Sequence, residues 1–115
     1  MKMVTAIIQQ DSLDTVREAL VANEILRITV TRVSGRGQEP TEGDLYRGQE
    51  VPLDLIPKVR LDIACNDDFV ESIIDTIVQA ARHGVEGMVG DGKIFVMPLE
   101  ECVRIRTGER GGSAI

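Results

Sequence analysis

Histidine and cysteine are scarce: the 115 residues include one histidine, His83, and two cysteines, Cys65 and Cys102. With no CxxC pair and a single imidazole, the ligand sets of zinc sites are missing. The cysteines sit in apolar surroundings, "LDIAC" and "EECVRI", and read as buried or half-buried thiols. A redox pair would need the fold to bring them together. Long hydrophobic runs are also lacking. No stretch approaches the roughly eighteen apolar residues of a membrane span. The opening "MKMVTAIIQQ" turns polar too early for a signal peptide. A cytoplasmic location, with no membrane insertion, is the expectation. Positive charge is in deficit as well, at 13 basic against 19 acidic residues and a net charge of −6. That excludes nonspecific nucleic-acid binding, which needs a basic face. No residue stands out as a general base either: His83 is alone at a helix end and is expected to face solvent, so a non-enzyme is anticipated.

The chain suits one domain over residues 1–115, with enough length to bury a core. "KMVTAIIQ" reads as a buried strand. "DSLDTVREALVANE" places Leu13, Val16, Ala19 and Leu20 at helical spacing, with Asp11 or Ser12 as N-cap. "ILRITVTRVSG" is a β-branched strand ending at Gly35. The next stretch, "GRGQEPTEGDLYRGQEVPLDLIP", is long for a connection and is expected to form an exposed loop from Gly37 to about Asp54. Its tip is acidic, with Glu39, Glu42, Asp44 and Glu50 opposed by Arg47. "KVRLDIAC" alternates: Val59, Leu61 and Ile63 on one side, Lys58, Arg60 and Asp62 on the other. "NDDFVESIIDTIVQAARHG" carries a helical stripe of Val70, Ile73, Ile74, Ile77, Val78 and Ala81, capped by Asn66 or Asp67. "VEGMVGDG" is a second loop, "KIFVMPL" a fourth strand, and "EECVRIRTGE" an added strand or hairpin. This order predicts an α+β, ferredoxin-like βαββαβ fold, a double split βαβ. Two helices cover only one face of four strands, so symmetric self-association is expected to cover the other.

One stretch raises a chemical question. In "VGDGKIFVMP" the Asp-Gly pair is an ordinary turn signal. Successive backbone N–H groups of Gly90, Asp91 and Gly92 can equally form an anion-binding nest. Lys93, Arg104 and Arg106 would then add charge toward a polyphosphate. On an extended segment Arg104 and Arg106 point the same way and repel unless an anion sits between them. The plainer alternative is a tight turn and a solvated strand face.

"DLYRGQE", "LIPKV", "GDGKIFV" and "RIRTGE", in that order, resemble the PII nitrogen-regulatory signal proteins. "AII", "LDTVREAL" and "TVTRVSGRG" extend the likeness over nearly the whole chain. The resemblance implies a homotrimer that binds ATP or ADP in clefts between subunits, with magnesium accompanying ATP. It implies a partner-docking T-loop at about 37–54, a B-loop at about 83–92 and a C-terminal loop at about 99–115. Gly90, Asp91, Gly92 and Lys93 would bind phosphate, with Arg104 and Arg106 reaching in from a neighbouring subunit. Thr29 and the backbone around Ala64 would hold the adenine. Gly35, Gly37 and Gln38 would lie near the ribose and phosphates. Lys58 matches the lysine that pairs with the 2-oxoglutarate carboxylate.

Several positions depart from the family pattern. The family's glutamine at the base of the loop is replaced by Glu39 or displaced to Gln38, Val51 stands where many relatives have the uridylylated tyrosine, and Val85 and Glu86 stand in a longer B-loop. The first helix opens with "QQDSLDT" instead of the usual "KPFKLDD". Glu39 beside a bound triphosphate would make 2-oxoglutarate binding weak or absent, unless Glu39 instead ligates the magnesium at that effector site. The implied role is an adenylate-sensing regulator of a transporter or metabolic enzyme. The alternatives are a PII-like sensor of bicarbonate or redox state in carbon metabolism, for which Cys102 is the only hook, and a slow nucleotide hydrolase.

Overall fold

The computed structural model describes residues 1–36 and 55–115. The expected loop from Gly37 to Asp54, with Gln38, Glu39 and Val51, lies outside the described residues. The elements run β1 (Lys2–Gln9), α1 (Leu13–Ala22), β2 (Thr29–Gly35), β3 (Ile56–Cys65), α2 (Val70–Ala81) and β4 (Gly92–Pro98). The sheet order is β2-β3-β1-β4, and every neighbouring pair is antiparallel. This is the ferredoxin-like α+β fold that the sequence predicts.

Alternation in the two central strands builds the core. Val4, Ala6 and Ile8 of β1 pair with Ile63, Leu61 and Val59 of β3, and all six are buried. Val16 and Leu20 of α1 and Ile73, Ile77 and Ala81 of α2 close over them. Cys65 joins this core as a free thiol, and burial pushes its ionisation up. Cys102 is also free, so no disulfide links the two.

The helix entries differ from the caps the sequence suggests. Each helix is entered through a 3-10 turn, Gln10–Ser12 before α1 and Asp67–Phe69 before α2, with no side-chain cap. The cap candidates are engaged elsewhere. Ser12 Oγ donates to Asp11 at 3.3 Å, and Asn66 Nδ2 donates to the Gly112 carbonyl at 3.1 Å. Asp67 pairs with the N-terminal amine at 3.0 Å. The second strand also begins later, at Thr29, because Glu24 takes a left-handed φ of 62° and the Ile25 amide returns to Leu20 O at 2.9 Å. Ile25 and Ile28 then pack against the core before the strand starts.

The segment after β4 is a hairpin-like loop and not a fifth strand. Val103 and Arg110 form an isolated antiparallel bridge around a turn at residues 105–107.

The helix-free face is mixed. Register places Met3 opposite Met97, Thr5 opposite Phe95 and Ile7 opposite Lys93. Phe95 and Met97 are exposed. On β3 this face is polar: Asp62 accepts from Thr5 Oγ1 at 2.6 Å and from Arg60 Nε at 2.9 Å.

Candidate functional site

The start of β4 presses directly on β1. A Cβ on Gly92 would lie 1.9 Å from the Ile7 carbonyl oxygen, and its φ is 123°. Only glycine fits there. The loop between α2 and β4 therefore crosses close over the end of β1. Gln9 Nε2 donates to the Gly90 carbonyl at 3.0 Å, and Lys58 Nζ approaches the same oxygen at 3.5 Å.

Asp91 braces this loop from inside. Its Oδ2 accepts the Met88 amide at 2.8 Å and the His83 amide at 3.1 Å. Its Oδ1 lies 2.5 Å from His83 Nδ1, and His83 Nε2 lies 3.4 Å from Asp11 Oδ1. Partial burial works against the Asp91 charge. The Met88 amide and His83 outweigh it and hold the carboxyl below its ordinary value. The hydrogen bond that the imidazole donates to Asp91, opposed by desolvation and aided by the Asp11 charge, raises the His83 imidazole above its ordinary value. His83 is thus a partly buried group, hydrogen-bonded to Asp91 and within ion-pair distance of Asp11, not the solvent-facing residue the sequence suggests. The Asp91 amide donates to Met88 O at 3.2 Å and closes the turn, so it is already engaged and not free for the three-amide anion nest the sequence suggests.

Beside this loop, on the helix-free face, lies a cleft of about 580 Å³. Ile7 and Phe95 line it from the sheet and Met88 and Val89 from the loop. Gly35, Gly90, Asp91 and Gly92 complete the lining, and Lys58, Lys93 and Arg36 bring three cations. Lys58 is buried, at 8% exposure. Three cations around apolar walls suit an anion carried on a flat apolar body.

The other residues singled out from the sequence lie elsewhere. Thr29 pairs with Asp62, six residues along β2 from Gly35, a separation of about 20 Å at strand rise. Ala64 pairs with Met3 near the same end. The C-terminal segment starts there too: Leu99 N–H bonds Met1 O at 3.0 Å, and Gly112 O accepts from Asn66. Arg104 does not extend alongside Arg106. It is held by Glu109 at 2.8 Å and by the Ser113 carbonyl at 3.2 Å. Arg106 sits exposed in the turn, with no ion pair among the described residues. One chain therefore carries two groups. Gly35, Lys58, Gly90, Asp91, Gly92 and Lys93 lie at one end of the sheet. Thr29 and Ala64 lie at the other, where the segment bearing Arg104 and Arg106 is anchored. Gly37, Gln38 and Glu39 lie outside the described residues.

Sequence reasoning missed Gln9 and His83. A polar "QQ" closing an apolar strand was a signal for the first; the second needed the fold to bring Asp11 and Asp91 to opposite sides of one ring.

Comparison with known proteins agrees with this architecture. The profile of the family described as "Nitrogen regulatory protein P-II" matches residues 1–109. The nitrogen regulatory protein P-II of Azospirillum brasilense is 50% identical over the full length of both chains. That of Rhodospirillum rubrum is 48% identical, again over both full lengths. The nitrogen regulatory protein P-II 1 of Escherichia coli K12 is 45% identical over the same extent. The chain belongs to the nitrogen regulatory protein P-II family.

Proposed function

We propose that this chain is a PII-type regulator that forms a homotrimer, binds ATP or ADP in clefts between subunits, and controls a transporter or metabolic enzyme through residues 37–54. One observation carries this reading: the two groups of predicted site residues lie at opposite ends of one sheet. A single subunit cannot close both around one ligand, whereas a ring of subunits sets the end of one against the start of the next. The cleft with Lys58, Lys93 and the Gly90–Gly92 turn would receive the phosphates. Thr29 and Ala64 of a neighbour would face the adenine; Arg106 would complete the charge, and Arg104 would join it only by giving up its pairing with Glu109. The exposed apolar side chains Phe95 and Met97 support burial of this face in an assembly.

Among the described residues no cluster of His, Cys, Asp or Glu is built to hold a metal. Magnesium enters only as the companion of ATP, where it would neutralise phosphate charge. Lys58 lies in the cleft where a keto-acid carboxylate would pair with it, and weak 2-oxoglutarate binding remains the proposal because of Glu39. The relatives are named as regulatory proteins, which supports binding without turnover. No helix among the described residues is long and apolar enough to cross a membrane.

Two measurements test the reading together. Light scattering should return about three times the 12.6 kDa chain mass. Calorimetry should show ATP and ADP binding with no release of phosphate. A monomer, or absence of adenylate binding, rejects it.

A further inference from the structure

The carboxylates of Asp11 and Asp91 stand on the two nitrogens of the same imidazole. A neutral imidazole has one N–H and one lone pair, so it satisfies one carboxylate and turns a lone pair on the other. Only the imidazolium donates to both. Asp91 also accepts the Met88 and His83 amides, so its carboxylate ties together the two ends of the loop whose last residues flank the cleft. Three glycines in this loop, Gly84, Gly87 and Gly90, have positive φ, so a side-chain brace has to fix a backbone with wide conformational choice.

We propose that protonated His83 is a positioning residue that latches the Gly90–Gly92 turn in its anion-binding shape, so that loss of its proton loosens the loop and weakens nucleotide binding. This inference rests on the nucleotide reading of the same cleft. The other charged groups around the ring are few. Arg82 is its chain neighbour, and the Arg82 stem lies against Gly87. Lys93 of β4 shares a small cavity against α2 with Arg82 and Asp91. Glu86 in the loop is exposed, and Lys58 of β3 meets the loop at Gly90. None of the cations lies between the ring and its two carboxylates in the hydrogen-bond pattern, so the imidazolium is the group that neutralises them. Asp91 is not a separate anion repelling phosphate while His83 holds it; once His83 loses its proton, an uncompensated carboxylate sits beside the phosphate turn.

His83 is the only histidine, so its NMR titration is read without assignment ambiguity. In the free protein its midpoint should lie above 6.5, fall in Asp11→Asn, and rise further with ADP bound, since coupling is reciprocal. The Met88 amide resonance should move with the same midpoint in the wild type and stay still in His83→Gln. From about pH 6 to about pH 8.5, ADP affinity should fall about five-fold more in the wild type than in His83→Gln. The titration of ADP itself is common to both proteins and cancels in the comparison. Equal pH slopes, or an ordinary His83 midpoint indifferent to Asp11→Asn, overturn the latch. If the wild type binds no ADP at any pH, the nucleotide reading and its coupling fail. The Met88 amide then still decides whether the loop is latched.

Discussion

At Gly92 the requirement for glycine is geometric. The missing Cβ is occupied by the Ile7 carbonyl, so Gly92→Ala must push β4 off β1 or distort the turn. We expect a loss of about 2–4 kcal/mol by urea unfolding, within the range of strained-backbone and overpacking mutants. A loss under about 0.5 kcal/mol, the range of ordinary surface changes, would contradict this contact. Two ionisable groups set opposite pH dependences. Burial opposes the Asp62 charge, but the Thr5 hydroxyl and Arg60 hold its carboxyl below 3.8. The stabilisation is therefore present above about pH 3.8 and lost as pH falls through the depressed value. Asp62→Asn should flatten the acid limb of a stability–pH curve. His83 is raised, so its contribution is complete below 6.5 and disappears as pH rises through its folded value. His83→Gln should remove that alkaline loss. The sequence carried the glycine but not its cause: "GDG" announces a turn, while the Ile7 oxygen is 85 residues away in the chain and reaches Gly92 only through the β1–β4 register.

Elements were legible wherever one period dominated. The alternation of "KVRLDIAC" and the helical stripe through Ile73 and Ile77 fixed β3 and α2, because burial on one face leaves a period in the sequence. Caps were not legible, and the C-terminal segment was legible only as an open choice between strand and hairpin, which the Val103–Arg110 bridge resolves as a hairpin-like loop. Ser12, Asn66 and Asp67 have the right chemistry for capping, but the neighbouring Asp11 takes the Ser12 hydroxyl, and tertiary partners take the side chains of Asn66 and Asp67. Arg104 and Arg106 have the spacing of a shared strand face, but the turn at residues 105–107 separates them, and Glu109 takes Arg104. This division of labour makes a prediction. Arg106, exposed and unpaired among the described residues, would on the proposed reading be the side chain left to reach a ligand on a neighbour. Arg106→Ala should weaken ADP about ten-fold or more, the cost of one charge-assisted contact, with little change in stability. Arg104→Ala should instead lower the stability of the C-terminal segment, seen as faster proteolysis near Glu109. Unchanged ADP affinity in Arg106→Ala would remove it from the site.

At the scale of the whole molecule, the candidate site residues fall in two groups, and an experiment can tell a cleft built inside one chain from one built between chains. Lys93 and the glycine turn lie at one end of the sheet, and the segment bearing Arg106 is anchored at the other. In a ring of three, each cleft would join the Lys93 end of one subunit to the Arg106 end of the next. Lys93→Ala damages one kind of end and Arg106→Ala the other, so a trimer made wholly of either variant has three damaged clefts. A trimer mixing the two always contains one junction at which an intact Lys93 end meets an intact Arg106 end. Random reassembly of equal amounts leaves three quarters of trimers mixed, so about one cleft in four should regain wild-type affinity. Calorimetry of variants unfolded together and refolded together should therefore show a tight ADP class at about a quarter of the expected stoichiometry. Variants refolded apart and then combined should show none while subunits do not exchange. A site contained within one chain predicts no recovery in either case, because every chain would still carry its own lesion.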